Sequence, residues 1–159
     1  MAEVNVTDRV EEFTEALRLS RRFKAPREAV FQSFTDPVAL AKWFGPEGVQ
    51  VTDVKVDLRS GGAYSMVFGE KDGESHGLSG VYREISPSDR LVMTWSWSHG
   101  DMAGIETLVT IELAAAGAET DLTLIHERLP SQNAIDMHSQ GWTSTFNCLD
   151  RHVEQGGLS

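Results

Sequence analysis

Residues 135–159 read IDMHSQGWTSTFNCLDRHVEQGGLS, and this stretch decides the fold. At ~100° per residue, Ile135, His138, Trp142, Phe146, Leu149 and Val153 fall in one narrow stripe of a helix. Asn133, Gln140, Asn147, Arg151 and Glu154 lie opposite. A stripe this apolar must be buried, and one long amphipathic helix needs a broad hydrophobic surface to lie on. Leu129-Pro130-Ser131 breaks the chain just before it. The rest of the sequence supplies mostly strands. A sheet gripping this helix, with aromatics and a histidine between them, predicts a closed pocket.

Upstream, the hydrophobic pattern has period two. Strands are expected at 49–58, 63–70, 75–85, 90–98, 105–114 and 119–128, punctuated by Ser60-Gly61-Gly62, Lys71-Asp72-Gly73, Ser86-Pro87-Ser88-Asp89, Ser98-His99-Gly100-Asp101 and Ala116-Gly117. Connections this short force antiparallel neighbours, hence a six-stranded meander. Before it, Ala16–Lys24 alternates as a further strand, with Leu17, Leu19 and Phe23 on one face and Arg18, Ser20 and Arg22 on the other. Pro26 opens a short helix with Val30, Phe31 and Phe34 on its apolar side. Asp36 caps a second, with Pro37 in its first turn, and Gly45-Pro46 stops it after Trp43 and Phe44. The expected class is therefore α+β: strand, two short helices, six-stranded meander, long C-terminal helix, with an internal cavity.

Length and charge bound the function. A chain of 159 residues forms one domain, expected over 13–159, behind a polar, acid-rich leader at 1–12 expected to be disordered. The formal net charge of −10 disfavours nonspecific binding to nucleic acid or an anionic membrane. No apolar run approaches the ~20 residues of a membrane helix, and the N-terminus has no signal-peptide core, so a cytoplasmic protein is expected. The single Cys148 excludes an intrachain disulfide or a cysteine zinc cluster.

Several segments carry a family resemblance. Arg21-Arg22-Phe23-Lys24-Ala25-Pro26-Arg27-Glu28-Ala29-Val30-Phe31, Phe34-Thr35-Asp36-Pro37 and Lys42-Trp43-Phe44-Gly45-Pro46 form the opening signature. Asp57-Leu58-Arg59-Ser60-Gly61-Gly62, Gly80-Val81-Tyr82-Arg83-Glu84-Ile85, Leu91-Val92-Met93-Thr94-Trp95 and Gly141-Trp142 continue it. Across about residues 15–155 the chain resembles bacterial AHSA1-like proteins of the START-like (SRPBCC) superfamily, which are similar to the C-terminal domain of the Hsp90 ATPase activator. The resemblance implies a helix-grip fold with a cavity between curved sheet and C-terminal helix. It specifies function weakly, because the superfamily hosts binding proteins, cyclases and hydrolases.

Alternation puts Tyr64, Met66 and Phe68 on the inward face of one strand and Leu91, Met93, Trp95 and Trp97 on that of another. Val109, Ile111 and Leu113, then Leu122, Leu124 and His126, complete that face. Most such residues simply pack. Met93, Trp95 and Trp97 are the foremost candidates for touching a ligand. Trp43 and Phe44 either close the core or form a lid over the cavity mouth. Arg21 also points inward and needs a carboxylate, carbonyls or an anionic ligand group as partner, a structural ion pair being the commoner outcome.

His138 is central on the helix stripe and His126 on the sheet face. A lone histidine on an apolar face is usually a satisfied core residue, but two, with Tyr64 or Tyr82, would give a greasy cavity a polar end. His76 and His99 sit near hairpin ends and read as solvated; His152 flanks the stripe. The five histidines show no metal-ligand spacing, so neither a metal nor a cofactor is expected. Gly61-Gly62 precedes a strand rather than a helix, Gly77-Leu78-Ser79-Gly80 is not a nucleophile elbow, and Cys148 lies off the stripe.

The expected function is binding of a small, largely hydrophobic molecule. Met66, Phe68, Met93, Trp95, Trp97 and Trp142 would give walls, Tyr64, Arg21, His126 and His138 polar anchoring, and Trp43 and Phe44 the mouth. One alternative is a cyclase- or hydrolase-like enzyme in which His126 and His138 move protons. Another is an interaction module like the Hsp90 activator, whose additional N-terminal domain has no room here. A homodimer is compatible with the chain, which carries no particular signal for one.

Overall fold

Alternation of large apolar with small or charged residues builds seven strands into one antiparallel sheet. The computed structural model describes residues 15–69 and 73–154, so the leader expected at 1–12 lies outside the described residues. In chain order the elements are β1 (Leu17–Phe23), α1 (Arg27–Thr35), α2 (Pro37–Trp43), β2 (Gln50–Val56), β3 (Ala63–Gly69), β4 (Ser75–Ser86), β5 (Arg90–Trp97), β6 (Thr107–Ala116), β7 (Glu119–Glu127) and α3 (Gln132–Glu154). Strands β2 to β7 form the expected meander. The first strand adds to its far edge, giving the order β1-β7-β6-β5-β4-β3-β2. With the long C-terminal helix packed on one face, this is a helix-grip α+β fold.

Small departures from expectation have local causes. Pro26 is the N-cap of α1 rather than its first turn: its backbone is extended, and its carbonyl takes the N–H of Ala29 and Val30. Asp36 caps α2 as expected, accepting from the Val38 N–H. Strand β6 starts two residues later than its pattern suggested, because residues 100–105 fold back on the end of β5: Gly104 N–H donates to Trp97 O and Ala103 bridges Trp97. The strand then runs on to Ala116.

Inward residues of β1, β3, β5, β6 and β7 form one core with the stripe of α3. Phe146 and Leu149 are fully enclosed, and Phe146 meets Phe23 edge-on at 5.7 Å. Beside them Arg21 extends from β1 to Asn147 and Asp150 of α3, with Nη1–O distances of 2.9 and 3.0 Å. Asn147, expected on the solvent side, is thus half-buried. Trp43 is buried, donates its indole N–H to Ser33 O and packs against Phe34 and Phe44. It joins the two short helices to each other.

Close approach fixes Gly80. Tyr64, its cross-strand neighbour on β3, lays its ring over Gly80 and donates its hydroxyl to Thr94 O on β5. A Cβ at position 80 would stand 2.0 Å from Thr94 O and 2.6 Å from the Tyr64 ring. Gly141, in the middle of α3, has nothing within 4 Å of the same construction. Gly80→Ala is therefore expected to cost about 3 kcal/mol, by overpacking. Gly141→Ala should add about 1 kcal/mol through helix propensity. Urea unfolding of the two variants checks the contrast; similar stabilities would contradict it.

Candidate functional site

Three walls meet at one end of the helix–sheet interface. The sheet contributes Phe68, Trp95 and Trp97; the folded-back loop after β5 contributes His99, Asp101 and Met102; the first half of α3 contributes Ala134, His138, Gly141 and Trp142. Phe44 closes the side next to α2. Together they bound a pocket of about 550 Å³. The expectation was a closed cavity. Instead the pocket opens to solvent past His99, Asp101 and Met137, which are exposed.

Aromatic rings make the floor. Trp95 is 4 % exposed, and its ring lies 5.0 Å from Trp142, 5.6 Å from Trp97 and 6.3 Å from Phe44. Phe44, Phe68 and Trp97 continue the series in edge-on pairs. Such contacts satisfy ring quadrupoles while leaving indole edges free for hydrogen bonds.

Those edges hold the histidines. Trp97 Nε1 lies 3.1 Å from His138 Nε2. An indole N–H only donates, so His138 Nε2 must accept, and the proton sits on Nδ1, which donates to Ala134 O at 2.8 Å. Trp142 Nε1 likewise donates to His126 Nδ1 at 3.1 Å. His126 then carries its proton on Nε2 and donates to Thr107 Oγ1, whose hydroxyl passes on to Trp95 O. The two imidazoles touch edge to face, 4.9 Å apart, in opposite tautomers. Both are neutral. Burial pulls the His126 pKa well below its ordinary 6.5, reinforced by His138; burial also lowers His138, against a smaller upward pull from Ala134 O.

Of the residues singled out from sequence, Phe44, Phe68, Trp95, Trp97, His138 and Trp142 line the pocket together. Tyr64, Met66 and Met93 lie farther along the same sheet face, buried in the core. Burial pushes the Tyr64 hydroxyl well above its usual range and Tyr82 up to about 12. His126 is enclosed behind His138, and Arg21 is tied to the far half of α3. Trp43 borders a separate polar hollow with Lys42, Arg151 and His152. His76 and His99 do line the opening, their rings 6.3 Å apart, with Ser98 Oγ 2.7 Å from His99 Nδ1. Alternation could not place them, since the pocket mouth depends on how the hairpin ends fold back. One sequence signal was available: Ala134, Gly141 and Thr145 follow helical spacing beside His138 on one flank of the stripe and are small. No group of three metal-ligating side chains occurs among the described residues.

The family model described as Activator of Hsp90 ATPase homolog 1-like protein matches residues 24–154. Among solved structures, a Chromobacterium violaceum protein shares 33% identity over 86% of this chain and 96% of its own, with a TM-score of 0.75. The AHSA1 protein from Silicibacter pomeroyi shares 29% over 89% and 99%, with a TM-score of 0.80. A Nitrosomonas europaea protein shares 26% over 91% and 97%, with a TM-score of 0.78. A search of curated proteins finds no match.

Neutral buried histidines make stability depend on pH. The unfolded chain takes up protons near pH 6.5, whereas His126 and His138 resist them until lower pH. The unfolded state then binds more protons, so stability falls as pH drops below about 6.5, by up to ~1.4 kcal/mol per pH unit for each histidine. Urea unfolding between pH 7.5 and pH 5.5 (about the span of one histidine titration) should show this slope. His126→Gln, although less stable at every pH, should show a shallower one; an unchanged slope would refute the assignment.

Proposed function

The chain belongs to the family of Activator of Hsp90 ATPase homolog 1-like proteins, and we propose that it binds a small, largely apolar molecule in the cleft between β5 and the first half of α3. The observation that carries this reading is a pocket of about 550 Å³ floored by Phe68, Trp95, Trp97 and Trp142. Pockets of a few hundred Å³ with aromatic walls and few polar groups suit drug-sized molecules. On this reading residues 13–159 act as one domain, His138 holds Trp97 in place at the cleft, and His126 does the same for Trp142 from behind. No helix is long and apolar enough to cross a membrane among the described residues; the reading takes the protein as cytoplasmic.

The hydrogen bonds weigh against the enzymatic alternative. A general base needs a free lone pair within reach of substrate. The acceptor nitrogen of His138 is occupied by Trp97 and that of His126 by Trp142. Either would have to surrender an indole before taking a proton. As for an interaction module, the large exposed apolar side chains among the described residues, Val38, Leu58 and Met137, stand on three separate segments, α2, the β2–β3 loop and α3.

Titration with the uncharged fluorophore N-phenyl-1-naphthylamine tests the reading. Saturable one-to-one binding with quenching of tryptophan emission is expected. Gly141→Leu should weaken it about tenfold, the equivalent of ~1.4 kcal/mol, without loss of thermal stability, because its side chain enters the cleft from a position where a Cβ meets nothing. Absence of saturable binding, or equal affinity in the variant, would overturn the cleft as the site.

A further inference from the structure

We propose that the molecule held in this cleft is uncharged and carries a carbonyl-type oxygen that accepts a hydrogen bond from Trp95 Nε1. The inference rests on the binding reading above and narrows it to a chemical class.

Hydrogen-bond accounting of the aromatic wall singles out one atom. Trp97 and Trp142 each donate their indole N–H to a histidine, and both nitrogens of His138 and of His126 are engaged. Trp95 is 4 % exposed, its Nε1 is buried, and that atom has no hydrogen-bond partner. Its ring neighbours are Phe44, Trp97, Trp142 and His126: the first three have no acceptor in their side chains, and both nitrogens of His126 are engaged. A buried donor left without an acceptor is uncommon in folded proteins, because desolvation is not repaid. This one belongs to a side chain in the wall of the pocket. A ligand oxygen supplies the missing acceptor. The N–H is shut off from water, so the proposal requires the indole to turn toward the cleft when the oxygen binds.

Charge accounting disfavours an acid. No Lys or Arg lines the pocket among the described residues, and Asp101 is its one carboxylate. A ligand carboxylate or phosphate pressed against these rings would lose its hydration with no lysine or arginine to pair it. Ser131 and Asn133 bring the N-terminus of α3 to the rim, which offers partial charge only; Ser131 Oγ already takes the Ala134 N–H. Of the three histidines at the pocket, His138 at the wall is held neutral by the indole that donates to it, and His76 and His99 stand at the opening, away from the aromatic floor.

Three matched probes separate these terms: 2-acetylnaphthalene, 2-ethylnaphthalene and 2-naphthoate. Affinities are measured at pH 7.5 with wild type and Trp95→Phe, and ¹⁵N–¹H spectra of the wild type follow the four tryptophan indole resonances. The ketone should bind roughly fivefold tighter than the ethyl compound, as one net hydrogen bond allows, and naphthoate more weakly than both. Trp95→Phe, which trims the floor for every probe, should weaken the ketone more than the ethyl compound and bring the two affinities level. In wild type the Trp95 resonance, assigned through its contacts to Phe44 and Trp142, should move downfield with the ketone alone; this readout stands even if the variant folds poorly. Naphthoate binding as tightly as the ketone, or a ketone advantage that survives in Trp95→Phe, would overturn the inference while leaving the cleft as a site. Failure of all three probes to bind would instead remove the binding reading itself.

Discussion

A helix that carries Trp142, Phe146 and Leu149 on one side is only marginally stable in water and acquires its stability by lying on an apolar surface. That constraint organises everything else in the chain. The sheet must present its large residues to one side, which it does through Tyr64, Met66, Phe68, Met93, Trp95, Ile111, Leu124 and their neighbours. Arg21 reaches from β1 to Asn147 and Asp150, tying the second half of the helix to the edge strand that completes the sheet. The first half has no such tie. It meets the sheet through aromatic side chains and histidines, and it is there that space is left over.

Placing histidines in an apolar interface has a chemical consequence. An imidazole buried without partners would be costly, and a charged one more so. Both problems are solved by indoles: each donates to one ring nitrogen and thereby chooses the tautomer. His138 points its proton into its own helix, His126 points its proton into the sheet. The pair therefore adds polarity without charge and without an open lone pair. Rigid positioning of Trp97 and Trp142 is what this arrangement supplies, and on the proposed function those rings are the walls a ligand meets.

The periodicities made the architecture legible. Period 3.6 over 135–153 and period two over most of 49–128 specify helix, strands and inward faces, because side-chain direction follows from backbone geometry. What they do not specify is depth along a strand. Met93 and Trp95 share a face, yet Trp95 borders the cleft and Met93 is covered by core, a difference set by where α3 crosses the sheet. The loop after β5 is less legible still. Its fold-back depends on Gly104 bonding to Trp97 O, and it brings His99 and Met102 to an opening shared with His76. Arg21 shows the reverse case: alternation placed it inward, electrostatics demanded a partner, and the partners proved to be Asn147 and Asp150.

Gly141 bears on whether the space is incidental. Mid-helix glycine is unfavourable by about 1 kcal/mol relative to alanine. Such a residue usually answers to a close neighbour or to a backbone turn, and neither applies: the residue lies inside α3, and an added Cβ would meet nothing within 4 Å. Ala134 and Thr145, a turn or two away on the same flank, are also small although buried. A core under selection for stability alone would place leucine-sized side chains at such positions and close the gap against Trp95 and Trp97. The small residues on this flank leave the space between the first half of α3 and the aromatic floor unfilled, so the volume follows from the identity of the flank residues.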